Sequence, residues 1–198
     1  MTQIFVSHSQ KDKEIRQNFS DVFAVTGVKS VYMEFEEIEP PAWETIRNKV
    51  GESDAVFLLL GSNIRQSIHT QNWVAFEVGM ACSMGKDVWI FEHEDADVEF
   101  PIPYLTDYGI WHHKNLDHFK YVRKIVEGYA NLIKVGKRSK ITYDGLRRLK
   151  GIPLGKLFMC KHSSCKTSYR LHLLAEACSF RCPSCRKPVE IASASCQV

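Results

Sequence analysis

The chain has 198 residues, 44% of them apolar, which is room for one ordinary domain with an appendage. No apolar run approaches the ~18 residues of a membrane span, and the opening Met1-Thr2-Gln3-Ile4-Phe5-Val6-Ser7 has neither a basic stretch nor a cleavage-site pattern, so a cytoplasmic protein without membrane contact is expected. The net charge of +3 hides a split: residues 1–133 hold 12 Lys and Arg against 20 Asp and Glu, residues 134–156 hold 8 against 1, and residues 157–198 hold 6 against 2, which excludes broad nucleic-acid binding over the acidic body.

In chain order, Ile4-Phe5-Val6 reads as a short strand closed by the polar turn Ser7-His8-Ser9-Gln10. Ile15, Phe19, Val22 and Phe23 recur at helical spacing over 11–25, with Gly27 as the stop. Val31-Tyr32-Met33 is a second strand, and Glu36-Glu37-Ile38-Glu39-Pro40-Pro41 continues neither strand nor helix, so it reads as a rigid acidic loop. The prolines start a helix over residues 42–52. Ala55–Leu60 is an uncharged strand with both faces covered. A helix follows from Gln71 or Asn72 to Met84, stopped by Gly85. Val88–Phe91 is the fourth strand, residues 92–103 an acidic loop, Tyr108–Trp111 the fifth strand, and Asp117–Lys134 an amphipathic helix with Asp117 as its N-cap.

Strands alternating with helices predict an α/β fold, a five-stranded parallel sheet with helices on both faces. The flavodoxin-like order 2-1-3-4-5 suits this length and puts the switch point between strands one and three. The turns Ser7–Gln10 and Gly61-Ser62-Asn63 then converge on one crevice, where open α/β folds hold ligands. Trp73 and Glu77, four residues apart near the start of the helix after strand three, share one helix face toward it. Glu77 is therefore the candidate catalytic residue, expected inside a dinucleotide-sized cleft.

These pieces together resemble the TIR (Toll/interleukin receptor) domain family. Ile4-Phe5-Val6-Ser7-His8-Ser9 is similar to the family's opening strand and loop, Trp73-Val74-Ala75-Phe76-Glu77 to its W-x-x-x-E signature, and the acidic loop at 36–41 lies where the BB loop would be. The similarity spans about residues 1–133. It implies an enzyme that cleaves NAD⁺ at the nicotinamide–ribose bond, giving ADP-ribose or a cyclic isomer, with prokaryotic antiphage defence signalling as the setting and self-association through this domain. Glu77 resembles the catalytic glutamate, Trp73 the tryptophan at the helix start, and Ser7, His8 and Ser9 the loop lining the nucleotide pocket. Trp43 falls where an aromatic ring contact is expected, and Ser62 belongs to the loop after strand three that meets the pyrophosphate. Ser7, Ser9 and Ser62 fit equally as plain turn residues, and His8 as a loop residue, because this chemistry requires no imidazole. The loop at 36–41 lacks the Arg-Asp…Pro-Gly pattern of receptor and adaptor members, which places the chain nearer the prokaryotic ones. Two alternatives stay open: a non-enzymatic interaction module, and an enzyme similar to nucleoside deoxyribosyltransferases.

Six of the seven cysteines fall in the last 39 residues. Without a secretory signal that concentration points to metal rather than disulfides. Cys160-x4-Cys165 and Cys182-x2-Cys185, sixteen residues apart, fit a closed, structural Zn²⁺ site of the ribbon type, with His162 as a less favoured ligand. Cys82, Cys178 and Cys196 read as free thiols. The expected organisation is a TIR-like domain over 1–134, a basic linker over 135–156 with a short helix at 143–150, and a zinc-ribbon domain over 157–198. The basic linker leaves a nucleic-acid partner open, although the tail has few aromatic rings for stacking bases and a solvated connector is the plainer reading.

Overall fold

The computed structural model describes residues 2–32, 43–99, 107–112, 114–131, 147, 151–172 and 179–190. The acidic loop at 36–41, most of the basic linker, Cys178 and Cys196 lie outside them, as does all of the expected helix at 143–150 except Arg147. Strands β1 (Gln3–His8), β2 (Lys29–Tyr32), β3 (Ala55–Leu60), β4 (Asp87–His93) and β5 (Asp107–Trp111) are parallel and lie in the order β2-β1-β3-β4-β5. Helices α1 (Lys13–Thr26), α2 (Trp43–Glu52), α3 (Ile68–Ser83) and α4 (Leu116–Ala130) connect or follow them. This is the order expected from the sequence.

The central strand β3 is buried along its whole length, and its side chains divide by parity between two cores. Val56, Leu58 and Leu60 pack under α2 and α3, with Ile46, Val50, Val74 and Val78. Ala55, Phe57 and Leu59 pack under α1 and α4, with Phe19, Phe23, Val122 and Ile125. Helix α1 ends at Gly27, whose φ of +66° is the left-handed turn that a side chain would resist.

The sheet is larger than the five strands expected. Strand β6 (Lys156–Met159) pairs antiparallel with β7 (Ser168–His172), and β7 pairs parallel with β5, so the sheet has seven strands ending β5-β7-β6. Strands β8 (Ser179–Arg181) and β9 (Pro188–Glu190) form a separate two-stranded sheet. The first hairpin of the cysteine-rich tail thus continues the sheet across β5. The exposed edge of β5 invites this, because its backbone donors and acceptors need partners.

A buried polar knot at the start of β4 and β5 ties linker and tail to the body. Arg147 grips Asp107 with both ends of its guanidinium, at 2.9 and 2.7 Å. His172 of β7 is 2.6 Å from the same carboxylate and 2.6 Å from the Tyr121 hydroxyl. Arg147 also lies 5.0 Å from the Trp89 ring. At least this linker residue is a core residue, 2% exposed, and no part of a solvated connector.

Candidate functional site

The crevice between β1 and β3 is built differently from a strand followed by a turn. Strand β1 runs on through Ser7 and His8, which pair with Leu58 and Leu59. A strand flanked on both sides keeps its ladder whatever the side chains are, so the polar residues extend it. Ser7 shares the parity of Phe5 and faces the α2–α3 layer, where Phe5 packs. Ser9 forms the turn that follows: its hydroxyl accepts from the Lys11 N–H and its carbonyl from the Asp12 N–H.

Helix α3 starts at Ile68, one turn earlier than expected, because the Ser67 hydroxyl accepts from the Thr70 N–H and caps it. Trp73 therefore lies in the second turn and Glu77 in the third, not at the helix start. The buried face of α3 is Val74, Glu77, Val78 and Ala81, a spacing that points a carboxylate into the core. Glu77 is 2% exposed. The Ser7 hydroxyl donates a short hydrogen bond to its Oε2. Burial pushes the Glu77 carboxyl up from its ordinary 4.5 to about 7, against the opposing pull of the Ser7 bond and the Trp73 indole N–H.

A cavity of about 200 Å³ opens beside this pair. It is lined by His8, Ser9, Lys11, Asn63, His69 and Trp73, among others. Glu77 is not among the described residues that line it, but sits one turn along α3 from Trp73 and Val74, which do. The structure thus joins Ser7, Trp73 and Glu77, and sets His8, Ser9 and Trp73 around the cavity. Ser62 lines a neighbouring cleft of about 220 Å³ at the start of α1, which shares Lys11 and Asn63 with the first. Trp43 lines neither cavity: it begins α2, is 53% exposed, and lies 5.9 Å from the Arg47 guanidinium.

Asp12 is a shaping residue that the sequence reading missed. It occupies the N-cap position of α1 but its side chain makes no cap bond there. Its Oδ1 instead accepts from the backbone N–H and the side-chain amide of Asn63, at 3.0 and 2.8 Å, clamping the β1 and β3 loops together. The contact requires glycine at 61, since a Cβ there would lie 2.1 Å from the Asp12 carboxyl carbon. A polar residue before a helix reads as a cap, so only the spatial approach of Gly61 reveals this role.

No protein-family model matches the chain, and no curated protein matches it. Among solved structures the chain is similar to the TIR domains of the activated Roq1 resistosome, which directly recognises the pathogen effector XopQ. The identity is 13%, over 77% of this chain and 86% of that chain, with a TM-score of 0.38. A likeness of this degree assigns no role to any residue, and the chemistry of the site rests on its own geometry.

The four cysteines Cys160, Cys165, Cys182 and Cys185 come together with all Sγ atoms within 4.8 Å of one another. Cys160 and Cys185 are 3.8 Å apart, and Cys165 and Cys182 are 3.9 Å apart. A tetrahedron of thiolates at about 2.3 Å from a central ion has edges of about 3.8 Å, so the spacing fits a metal and is far beyond a disulfide. Burial works to raise the Cys165 thiol, but hydrogen bonding with Thr167 outweighs it and holds the thiol at about 7, while burial pushes Cys160 and Cys182 up. Two turns of the same build present the cysteines. Cys160 N–H bonds to the Thr167 carbonyl and Cys182 N–H to the Lys187 carbonyl. Lys166 and Arg186, each just after the second cysteine of its turn, have φ of +50° and +55°. His162 stands outside the cluster, its ring 3.5 Å from the Pro188 carbonyl. Cys82 is a free, half-buried thiol on α3.

Among the described residues no helix is long and apolar enough to cross a membrane.

Proposed function

We propose that this chain is a TIR-type enzyme that cleaves the nicotinamide–ribose bond of NAD⁺, with Glu77 as the catalytic carboxylate. One observation carries the reading: a carboxylate 2% exposed, on the core face of α3, beside a cavity, with no ion pair among the described residues. Burying an uncompensated carboxylate is costly, and such groups cluster where chemistry needs them.

The bond between the ribose carbon and the pyridinium nitrogen breaks heterolytically. Its electron pair leaves with the ring, which departs as neutral nicotinamide, so no general acid is required. The positive charge left on the sugar is what an ionised Glu77 would stabilise. Water, or a nucleophile elsewhere on the same molecule, then forms the new bond and releases a proton, giving ADP-ribose or a cyclic isomer. Ser7 orients the carboxylate through its hydrogen bond. Trp73 supplies ring surface at the cavity wall, and Lys11 brings a positive charge to both clefts for a phosphate. A setting in antiphage defence and self-association through this domain rest on the sequence resemblance, and a phage challenge and a sedimentation experiment test them. The four-thiolate cluster we assign to one structural Zn²⁺ per chain: its ligands leave no open position for catalysis.

The competing reading is a binding module without turnover. It is favoured by the burial of Glu77, which is 2% exposed. Incubation of the purified protein with NAD⁺, followed by chromatography and mass spectrometry, separates the two. Free nicotinamide from the native protein and none from Glu77→Gln supports the enzyme; release from both variants removes Glu77 from the mechanism. Offering deoxynucleosides tests base exchange in the same assay.

A further inference from the structure

Arg186 follows the last ligand of the cysteine cluster and leaves it toward the body. Its Nη1 is 2.9 Å from Glu92 Oε1 and 3.1 Å from the Val98 carbonyl, and its Nη2 is 2.6 Å from Asp97 Oδ1. Glu92, near the end of β4, is 3% exposed and also accepts from the Tyr108 hydroxyl at 2.6 Å and the Val98 N–H at 3.3 Å. Asp97, in the left-handed region at φ +44°, is in turn 3.9 Å from Arg65. Arg65 lies on the short turn between Asn63 and Ser67, both of which line the cavity. Cysteine cluster, buried carboxylate and cavity rim thus form one continuous run of contacts.

We propose that metal occupancy of the four-thiolate centre sets the order of residues 92–98 through Arg186, so that the ion completes the edge of the sheet on which the cavity stands. This rests on the zinc reading above. Arg186 is held at φ +55° in a turn closed by its own N–H to the Cys182 carbonyl at 2.8 Å. A non-glycine residue keeps that conformation only where its surroundings impose it. The surroundings here are a two-stranded sheet, β8–β9, too small to be stable by itself. The ion supplies what the strands lack. Without it Arg186 is released, Glu92 is left buried without its compensating cation, and the segment opens to hydrate the charge. The centre is then a latch that reports metal or thiol state to the cavity, and not a remote appendage.

The test uses the full chain in three forms: loaded with zinc, stripped by chelator under reducing conditions, and Arg186→Gln loaded with zinc. Zinc content and hydrogen–deuterium exchange over 92–98 are measured, with α1 as the internal reference. Exchange over 92–98 is expected to accelerate on the order of tenfold or more in both the stripped protein and the loaded Arg186→Gln protein, which still holds one zinc. Unchanged protection over 92–98 in loaded Arg186→Gln overturns the proposal, as does unchanged protection in the stripped protein. If stripping unfolds the whole chain, the loaded Arg186→Gln comparison decides alone. A native protein that binds no metal overturns the zinc reading itself, a result distinct from a zinc-bound protein whose edge ignores Arg186.

Discussion

Replacing Glu77 by glutamine should stabilise the protein at alkaline pH and cost about 1 kcal/mol in acid. The folded carboxyl titrates at about 7 instead of its ordinary 4.5, chiefly because burial disfavours the charged form. Below pH 4.5 the group is protonated in both folded and unfolded chains, and it resembles glutamine. Between those two values the unfolded chain has lost its proton while the folded one keeps it, so stability falls as pH rises. Above about 7 both are ionised and the full penalty is present. At about 1.4 kcal/mol per pH unit, the gap amounts to about 3 kcal/mol. Glutamine keeps an acceptor for the Ser7 hydroxyl but brings extra N–H donors into the core, an offset of about 1 kcal/mol that does not depend on pH. The decisive quantity is therefore the difference between the two proteins at pH 8 minus that at pH 5. Every other titrating group is common to both and cancels. Urea unfolding followed by tryptophan fluorescence should give about 2 to 3 kcal/mol in favour of the variant, or a melting point higher by roughly 5–10 °C. Parallel pH–stability curves would mean that Glu77 is hydrated or paired, and the argument for a strained functional carboxylate would fall.

Turnover, if it needs ionised Glu77, should rise with pH through about 7 and level off above it, a profile read from the initial rate of nicotinamide release under saturating NAD⁺; a flat profile from pH 5 to 8 contradicts that assignment. Gly61→Ala should drive its Cβ into Asp12, break the clamp on Asn63, and destabilise the protein by about 2 kcal/mol, measured by chemical denaturation. Asp107→Ala should leave Arg147 buried beside fewer anions and lower stability by about 3–5 kcal/mol, far more than removal of an exposed partner such as Asp117, with thermal melts of both variants as the comparison.

What the sequence disclosed follows from the range of the interactions involved. Strand β3 was plain because six uncharged residues in a row have one reading in an α/β chain, and the order of the sheet followed from alternation. The boundaries of β1 and α3 differ from the expected ones because side-chain polarity reads as the end of an element. In β1 the ladder to β3 outranked the polarity of Ser7 and His8. In α3 the cap was Ser67, outside the apolar stretch that defined the helix. The cysteine cluster was legible because ligand spacing is local within each pair. The attachment of the tail was not. Arg186 meets Glu92 across 94 residues, His172 meets Asp107 across 65, and Asp12 meets Asn63 across 51. In sequence each is an ordinary charged or polar residue, because nothing in its own neighbourhood records the partner.

These distant pairs tie the tail and the linker to the body. The basic segment and the cysteine-rich segment differ in composition from the acidic body, and that contrast reads as separate units. Opposite charge also makes them partners: Arg147 is buried against Asp107 and Asp87, and the partly exposed Arg186 pairs with buried Glu92 and exposed Asp97. A buried guanidinium such as that of Arg147 fixes orientation more than it adds stability, because removing two charges from water offsets most of their attraction. Fixed orientation is what a small hairpin needs to hold a loop elsewhere in place. The same logic separates Glu77 from these carboxylates. Glu92 and Asp107 have their arginine or histidine; among the described residues Glu77 has a serine hydroxyl and an indole, which steady its position without neutralising its charge. A carboxylate kept in that condition is suited to meet a positive charge that arrives with a ligand.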